Sequence, residues 1–166
     1  HEEGYTLEQV QDYVKKLLPE YVDKLWINPS GTWTIGGPDA DAGVTGRKIV
    51  CDQYGGYVPV GGGAFSGKDP TKVDRSASYM ARQIAIELLE EFELEWCEVQ
   101  LAYAIGVAEP VSIAVTSDKP QLDLAQEVKI RYDLTPRGMI DYLNLLHINF
   151  AKLAAGCHYY RETGAC

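Results

Sequence analysis

The sequence has no long apolar run, no paired-cysteine motif and too few basic residues to balance its acids. Nothing in it approaches the roughly 20 consecutive apolar residues that a membrane-spanning helix needs. No charged-then-apolar leader pattern is visible either. The first residue is His1 rather than Met, so a processed product or a piece of a longer protein is expected. The four cysteines, Cys51, Cys97, Cys157 and Cys166, show neither CxxC pairs nor metal-ligand spacing, which points to reduced thiols and a cytoplasmic location. Lys and Arg number 15 against 24 Asp and Glu, for a net charge of −9 and a pI near 4.8. Nucleic acid and anionic membranes both want basic surface, so neither is an expected partner. A local basic cluster could still bind a small polyanion against that global field. There is no internal repeat. With 46% hydrophobic and 23% charged residues over 166 positions, the chain reads as one globular domain, or one domain with a piece of another.

What the sequence does have is glycine, concentrated in Gly61-Gly62-Gly63-Ala64-Phe65-Ser66-Gly67-Lys68-Asp69-Pro70. Glycines let backbone N–H groups approach a ligand without an intervening Cβ. Asp69-Pro70 resembles a helix start, with Asp as N-cap and Pro in the first turn. A helix N-terminus beside Lys68 and Lys72 suits a polyphosphate, while the plain alternative is a flexible loop leading into a capped helix. Gly62 to Lys68 fits the G-x-x-x-x-G-K core of a P-loop, but Asp69 stands where Ser or Thr would hold magnesium. That departure argues against a P-loop phosphotransferase.

Elsewhere, helical spacing of Leu7, Val10, Val14, Leu17 and Leu18 predicts a helix over 6–22, opened by a capping box at Thr6. Short strands are expected over 24–28, 33–35 and 49–54, and 36–47 reads as a Gly- and Asp-rich loop. After Pro70 a helix is expected to run to about Phe92, with Val73, Ala77, Met80, Ile84 and Leu88 along one face. Lys68 and Lys72, four apart, would then converge on one anion. Glu87, Glu90, Glu91, Glu93 and Glu95 read as a solvated face, with fraying at that acidic C-terminus. Alternation predicts strands over 98–107 and 111–116 as an antiparallel pair, apolar on both faces. Helices are expected over 122–132 and 137–146. His147 and His158 are isolated and read as structural.

GGGAFSGKD and, after it, KVDRSA resemble the second signature of the S-adenosylmethionine synthetase (methionine adenosyltransferase) family. Asn28-Pro29-Ser30-Gly31, Ile35-Gly36-Gly37-Pro38, Thr45-Gly46-Arg47-Lys48-Ile49 and Tyr54-Gly55-Gly56 are similar to the family's approach to that loop. Tyr103-Ala104-Ile105-Gly106-Val107-Ala108 and Asp133-Leu134-Thr135-Pro136-Arg137-Gly138 are similar to the family's segments C-terminal to the loop.

The resemblance implies an α+β fold, the C-terminal domain of a three-domain pseudo-threefold architecture. Helices would pack on one face of a mostly antiparallel sheet, and the other face would lie at a subunit interface. Residues 1–34 would end the middle domain and 35–166 form the C-terminal one. The implied reaction is attack of methionine sulfur on C5′ of ATP, with the triphosphate then cut to pyrophosphate and phosphate. Implied catalytic residues are Lys48, Lys68 and Lys72. ATP would meet Trp33 (stacking on adenine), Asp41, Arg47, Lys48, Ala64 and Lys68, and methionine would meet Asp41 and Lys72. Asp74 would ligate Mg2+, and K+ is a further implied cofactor. Implied partners are the enzyme's N-terminal half and further copies, as a homodimer or tetramer with the active site between subunits. Thr32 and Val60 replace a frequent Arg and His, and the tail at Cys157, Tyr159 and Tyr160 departs from the usual ending. The family's Gly-His-Pro-Asp-Lys half is not in this sequence, so the 166 residues by themselves are expected to be inactive. The alternative is a non-catalytic polyphosphate-binding or oligomerisation module.

Overall fold

The computed structural model describes residues 3–18, 25–41, 49–50, 53–155 and 158–159. The elements run α1 (Leu7–Leu17), a 3-10 turn (Gly37–Asp39), α2 (Val73–Glu91), β1 (Cys97–Ala102), β2 (Ser112–Ser117), α3 (Leu124–Arg131), α4 (Pro136–Tyr142), a 3-10 turn (Leu145–His147) and α5 (Phe150–Ala155). The chain divides into two compact units: residues 1–44 with 104–108, and residues 45–103 with 109–166.

In the first unit, α1 opens with the expected capping box: the Thr6 side chain accepts from the Gln9 N–H, and Gln9 returns the bond to the Thr6 N–H. The helix stops at Leu17, short of the expected end. The described residues of 24–28 and 33–35 form no strand. Instead Asn28 sits in the left-handed region at φ 46° and the chain turns back through an N–H···O bond from Gly31 to Asn28. At Gly106 (φ +82°) a Cβ would lie 2.6 Å from the Ser30 nitrogen, so only glycine allows that approach.

The second unit is built on α2. Its apolar stripe is the expected one: Met80, Ile84 and Leu88 are fully buried and Ala77 nearly so. They pack against Val128, Leu134 and Met139, and against Val99, Leu101, Ile113 and Val115 of the strands. β1 and β2 pair antiparallel, with Val99 opposite Val115 and Leu101 opposite Ile113 on the core face. The opposite face differs from expectation. It carries Glu98, Gln100 and Ala102 beside Thr116, Ala114 and Ser112, so it is small and polar rather than apolar. No strand occurs among the described residues of 49–54, which turn instead.

The C-terminal end of α2 is tied rather than frayed. Arg131 pairs with both Glu91 and Glu127, and the Lys119 ammonium donates to the Phe92 carbonyl at 2.7 Å. A cation on that last carbonyl answers the helix dipole. Glu87 is a hub rather than a solvated acid: Gln83, Tyr132 and Tyr142 all donate to it. Burial pushes its carboxyl up, but those donors win and hold it below the usual range. α4 starts as Thr135-Pro136 predicted, with the Thr135 hydroxyl accepting from Gly138. Asp133 fixes that cap by accepting from the Thr135 N–H and hydroxyl.

Candidate functional site: the glycine loop and the start of helix α2

The glycine loop is pinned at its middle and open on either side. Ala64 and Phe65 are buried, whereas Gly61, Gly62, Ser66 and Gly67 are exposed. Phe65 enters a small aromatic core with Tyr79, His158 and Tyr159, edge-on to the Tyr79 ring at a centroid distance of 5.5 Å. His158 is structural, as expected: its Nδ1 lies 3.0 Å from the Tyr79 hydroxyl. His147 is exposed.

Past Phe65 the chain makes a tight turn. The Lys68 N–H donates to the Phe65 carbonyl at 3.1 Å, with Gly67 at φ +75°, where a side chain would be strained. The expected helix start at Asp69-Pro70 is not the real one. Asp69 spends its carboxylate on a local turn, accepting from the N–H and hydroxyl of Thr71. Those donors hold its pKa at about 2, below the ordinary value of 3.8. α2 begins at Val73, with Lys72 in the N-cap position and no side-chain cap. Residues 68–72 are therefore not helical, and the two lysines find separate acids. Lys68 Nζ sits 2.6 Å from Asp74 Oδ2, and Lys72 Nζ 3.3 Å from Asp69 Oδ2. The same offset counts against a P-loop, in which the helix starts directly at the Gly-Lys step.

Asp74 is packed over the third glycine. A Cβ on Gly63 would fall 2.2 Å from Asp74 Cγ, whereas Gly61 and Gly62 have nothing within 4 Å of theirs. Gly61, Gly63 and Asp74 line one part of a cavity of about 420 Å³, which continues past Ser78 and Arg82 of α2 to Gln100 of β1. Glu98 lines the same cavity from β1, and the Asp74 carboxylate in its lining is a hard oxygen donor. It suits magnesium completed by phosphate oxygens and water better than an all-protein cage. Among the described residues no three His, Cys, Asp or Glu side chains cluster as a metal cage.

Of the residues singled out from sequence, Ala64, Lys68, Lys72 and Asp74 lie together in this second unit. Trp33 and Asp41 belong to the first unit, both exposed, with the Asp41 N–H donating to the Gly37 carbonyl. Arg47 and Lys48 lie outside the described residues. One residue that sequence reasoning passed over is Arg75. It is 6% exposed and donates from Nη1 to the Lys68 carbonyl at 2.5 Å.

The fold and site define an α+β domain with a lysine-bearing glycine loop seated on the start of its main helix. Residues 35–165 match the sequence profile described as S-adenosylmethionine synthetase, C-terminal domain. The chain is 51% identical over 164 residues to the S-adenosylmethionine synthase of Cereibacter sphaeroides and 48% identical to that of Paracoccus denitrificans, in each case over 94% of this chain and 42% of the relative. It also superposes on an unusual S-adenosylmethionine synthetase from Campylobacter jejuni, with TM-score 0.60 and 36% identity, covering 92% of this chain and 45% of that one. The chain belongs to the S-adenosylmethionine synthetase family. It spans less than half the length of these relatives. No described helix is long and apolar enough to cross a membrane.

Proposed function

We propose that this chain is the C-terminal part of a methionine adenosyltransferase, a transferase that joins ATP and L-methionine into S-adenosylmethionine and cleaves the triphosphate to pyrophosphate and phosphate. The observation that carries the reading is the Lys68–Asp74 pair at 2.6 Å, with Asp74 packed against Gly63 in the lining of the cavity, in a chain of this family.

The leaving triphosphate gains charge as the C5′–oxygen bond breaks, so the site must present fixed cations in a place shielded from bulk water. Lys68 and Lys72 supply two such cations, and Arg47 and Lys48 are assigned two more. In this structure the Lys68 and Lys72 ammonium groups are each paired with a carboxylate. A phosphate oxygen that takes the Lys68 ammonium leaves the Asp74 carboxylate open to a cation. Asp74 is the residue assigned to magnesium, which when bound would clamp phosphate oxygens and offset their charge. No described residue is assigned to potassium. Lys72, half exposed and tethered to Asp69 and Thr71, has room to turn toward the methionine carboxylate. Asp41 is assigned to methionine and nucleotide, Trp33 to the adenine face, and Ala64 to the loop backbone that meets ATP.

The remaining assignments belong to the same reading. Residues 1–34 end a middle domain and 35–166 form the C-terminal one of three. The small, polar sheet face formed by Glu98, Gln100, Ala102, Ser112, Ala114 and Thr116 lies at the subunit interface of a homodimer or tetramer. The protein works in the cytoplasm.

The test compares the full-length protein containing this chain with the 166 residues alone. Each is supplied with ATP, methionine, magnesium and potassium, and S-adenosylmethionine is measured by mass spectrometry. The full-length protein should make product and the isolated chain none, because a cation cradle without the rest of the site cannot align sulfur with C5′. A full-length protein that binds polyphosphate without turnover would favour a non-catalytic module instead.

A further inference from the structure

Lys68 has three polar handles, and each is engaged. Its N–H is bonded back to Phe65, its ammonium is on Asp74, and its carbonyl accepts from Arg75 Nη1 at 2.5 Å. The first bond lies within the loop itself. The other two come from α2, and the Arg75 bond alone reaches the main chain rather than the mobile end of the side chain.

Arg75 is an unusual residue to find there. Its guanidinium is nearly fully buried, and no carboxylate pairs with it among the described residues. Taking such a charge out of water costs several kcal/mol unless other groups replace the lost hydration. The replacements include the Lys68 carbonyl, the Tyr79 hydroxyl one turn along α2, and the Phe150 ring of α5, whose centroid lies 4.2 Å from Arg75 Cζ. Arg75 Nε has no hydrogen-bond partner among the described residues. A methionine or leucine would fill this space without those penalties, so packing alone does not account for a guanidinium. The planar fork and face do: one edge holds the loop while the face rests on α5, an arrangement that a lysine cannot copy.

We propose that Arg75 is a positioning residue that clasps the Lys68 main chain to α2 and α5 and so aims the Lys68 ammonium at the place where Asp74 and a polyphosphate meet. The clasp stands on the geometry alone. Its use in polyphosphate binding rests on the function proposed above.

The experiment uses the full-length protein, with Arg75→Lys made in the wild type and in Lys68→Met, a background that keeps the Lys68 carbonyl. Amide exchange is followed by mass spectrometry in the absence of ligand, and inorganic tripolyphosphate binding by calorimetry. Exchange in 65–72 should quicken by about tenfold in Arg75→Lys, the scale of one lost charge-assisted bond, while the 84–91 half of α2 stays as protected as before. Quickening along the whole of α2, or none in 65–72, would overturn the clasp. Tripolyphosphate should bind about tenfold more weakly in Arg75→Lys, but no more than about twofold more weakly when the change is added to Lys68→Met, since contacting residues couple. Equal loss in both backgrounds would show that Arg75 does not act through Lys68. Should Lys68→Met bind tripolyphosphate as the wild type does, the polyphosphate role of Lys68 falls, and the exchange result by itself decides for or against the clasp.

Discussion

Lys68 and Asp74 neutralise each other across 2.6 Å although they sit on different kinds of structure, the lysine on a glycine-cornered turn and the aspartate in the first turn of α2. Both side chains are part-exposed, so the pair contributes little to stability. Its importance is positional: cation and carboxylate stand ready beside one cavity.

Replacing Lys68 by Ala in the full-length protein should therefore leave the fold intact and lower kcat/KM by about 3 kcal/mol of transition-state stabilisation, the size of one preorganised donor. Steady-state rates with ATP and methionine measure it. Turnover equal to wild type would remove Lys68 from the site.

Asp74→Asn should shift the magnesium requirement upward, because a neutral amide binds a hard dication more weakly than a carboxylate does. The magnesium midpoint of ATP cleavage is the quantity to follow, and an unchanged midpoint would count against the assignment.

Asp69 gives a pH prediction. Its folded-state pKa of about 2 lies below the ordinary 3.8 because Thr71 donates to its carboxylate twice. A depressed acid stabilises the fold above its unfolded pKa and loses that contribution as pH falls through the folded one. The 69–72 turn should thus persist down to about pH 3 and open toward pH 2, and Asp69→Asn should remove this acid-dependent step. Carboxyl chemical shifts through the titration report it directly. An Asp69 midpoint at the ordinary carboxylate value would contradict the turn.

Met80 lies at the centre of the stripe and is fully buried. Met80→Ala should cost about 2–5 kcal/mol of unfolding free energy, read from denaturant midpoints. A loss below about 1 kcal/mol would mean that the core closes over the gap.

The stripe itself was readable because α2 is long and its spacing repeats without interruption. The β1–β2 pair was readable through its alternation. The start of α2 was misplaced for a local reason. Asp69-Pro70 has the letters of a cap, but the Asp69 carboxylate is consumed by Thr71, and periodic burial starts only at Val73. Fraying at the other end was expected from acids on one helix. The cations that answer them, Arg131 and Lys119, come from distant parts of the chain, where helix-local reasoning cannot reach.

Arg75 was passed over for a related reason. Arg75, Tyr79 and Arg82 share a second face of α2, turned toward the Phe65 and Tyr159 cluster. Arginine is mostly an exposed residue type, and nothing in the local sequence shows that aromatic rings cover these two. The resemblance located the glycine loop and its lysines as a string of letters. It did not show that the lysines are paired with acids in this structure, nor that a neighbouring arginine holds one of them.

The three adjacent glycines have unequal surroundings, and this bears on how the sequence is free to drift. At Gly61 and Gly62 a methyl group would meet open space, whereas at Gly63 it would collide with the Asp74 side chain. A repeat that looks uniform in print therefore carries its information in the last letter. In a saturation library selected for function, alanine and serine should survive first at 61 and 62. Position 63 should hold glycine throughout, because room for a methyl group comes only by displacing the Asp74 carboxylate that is assigned to magnesium.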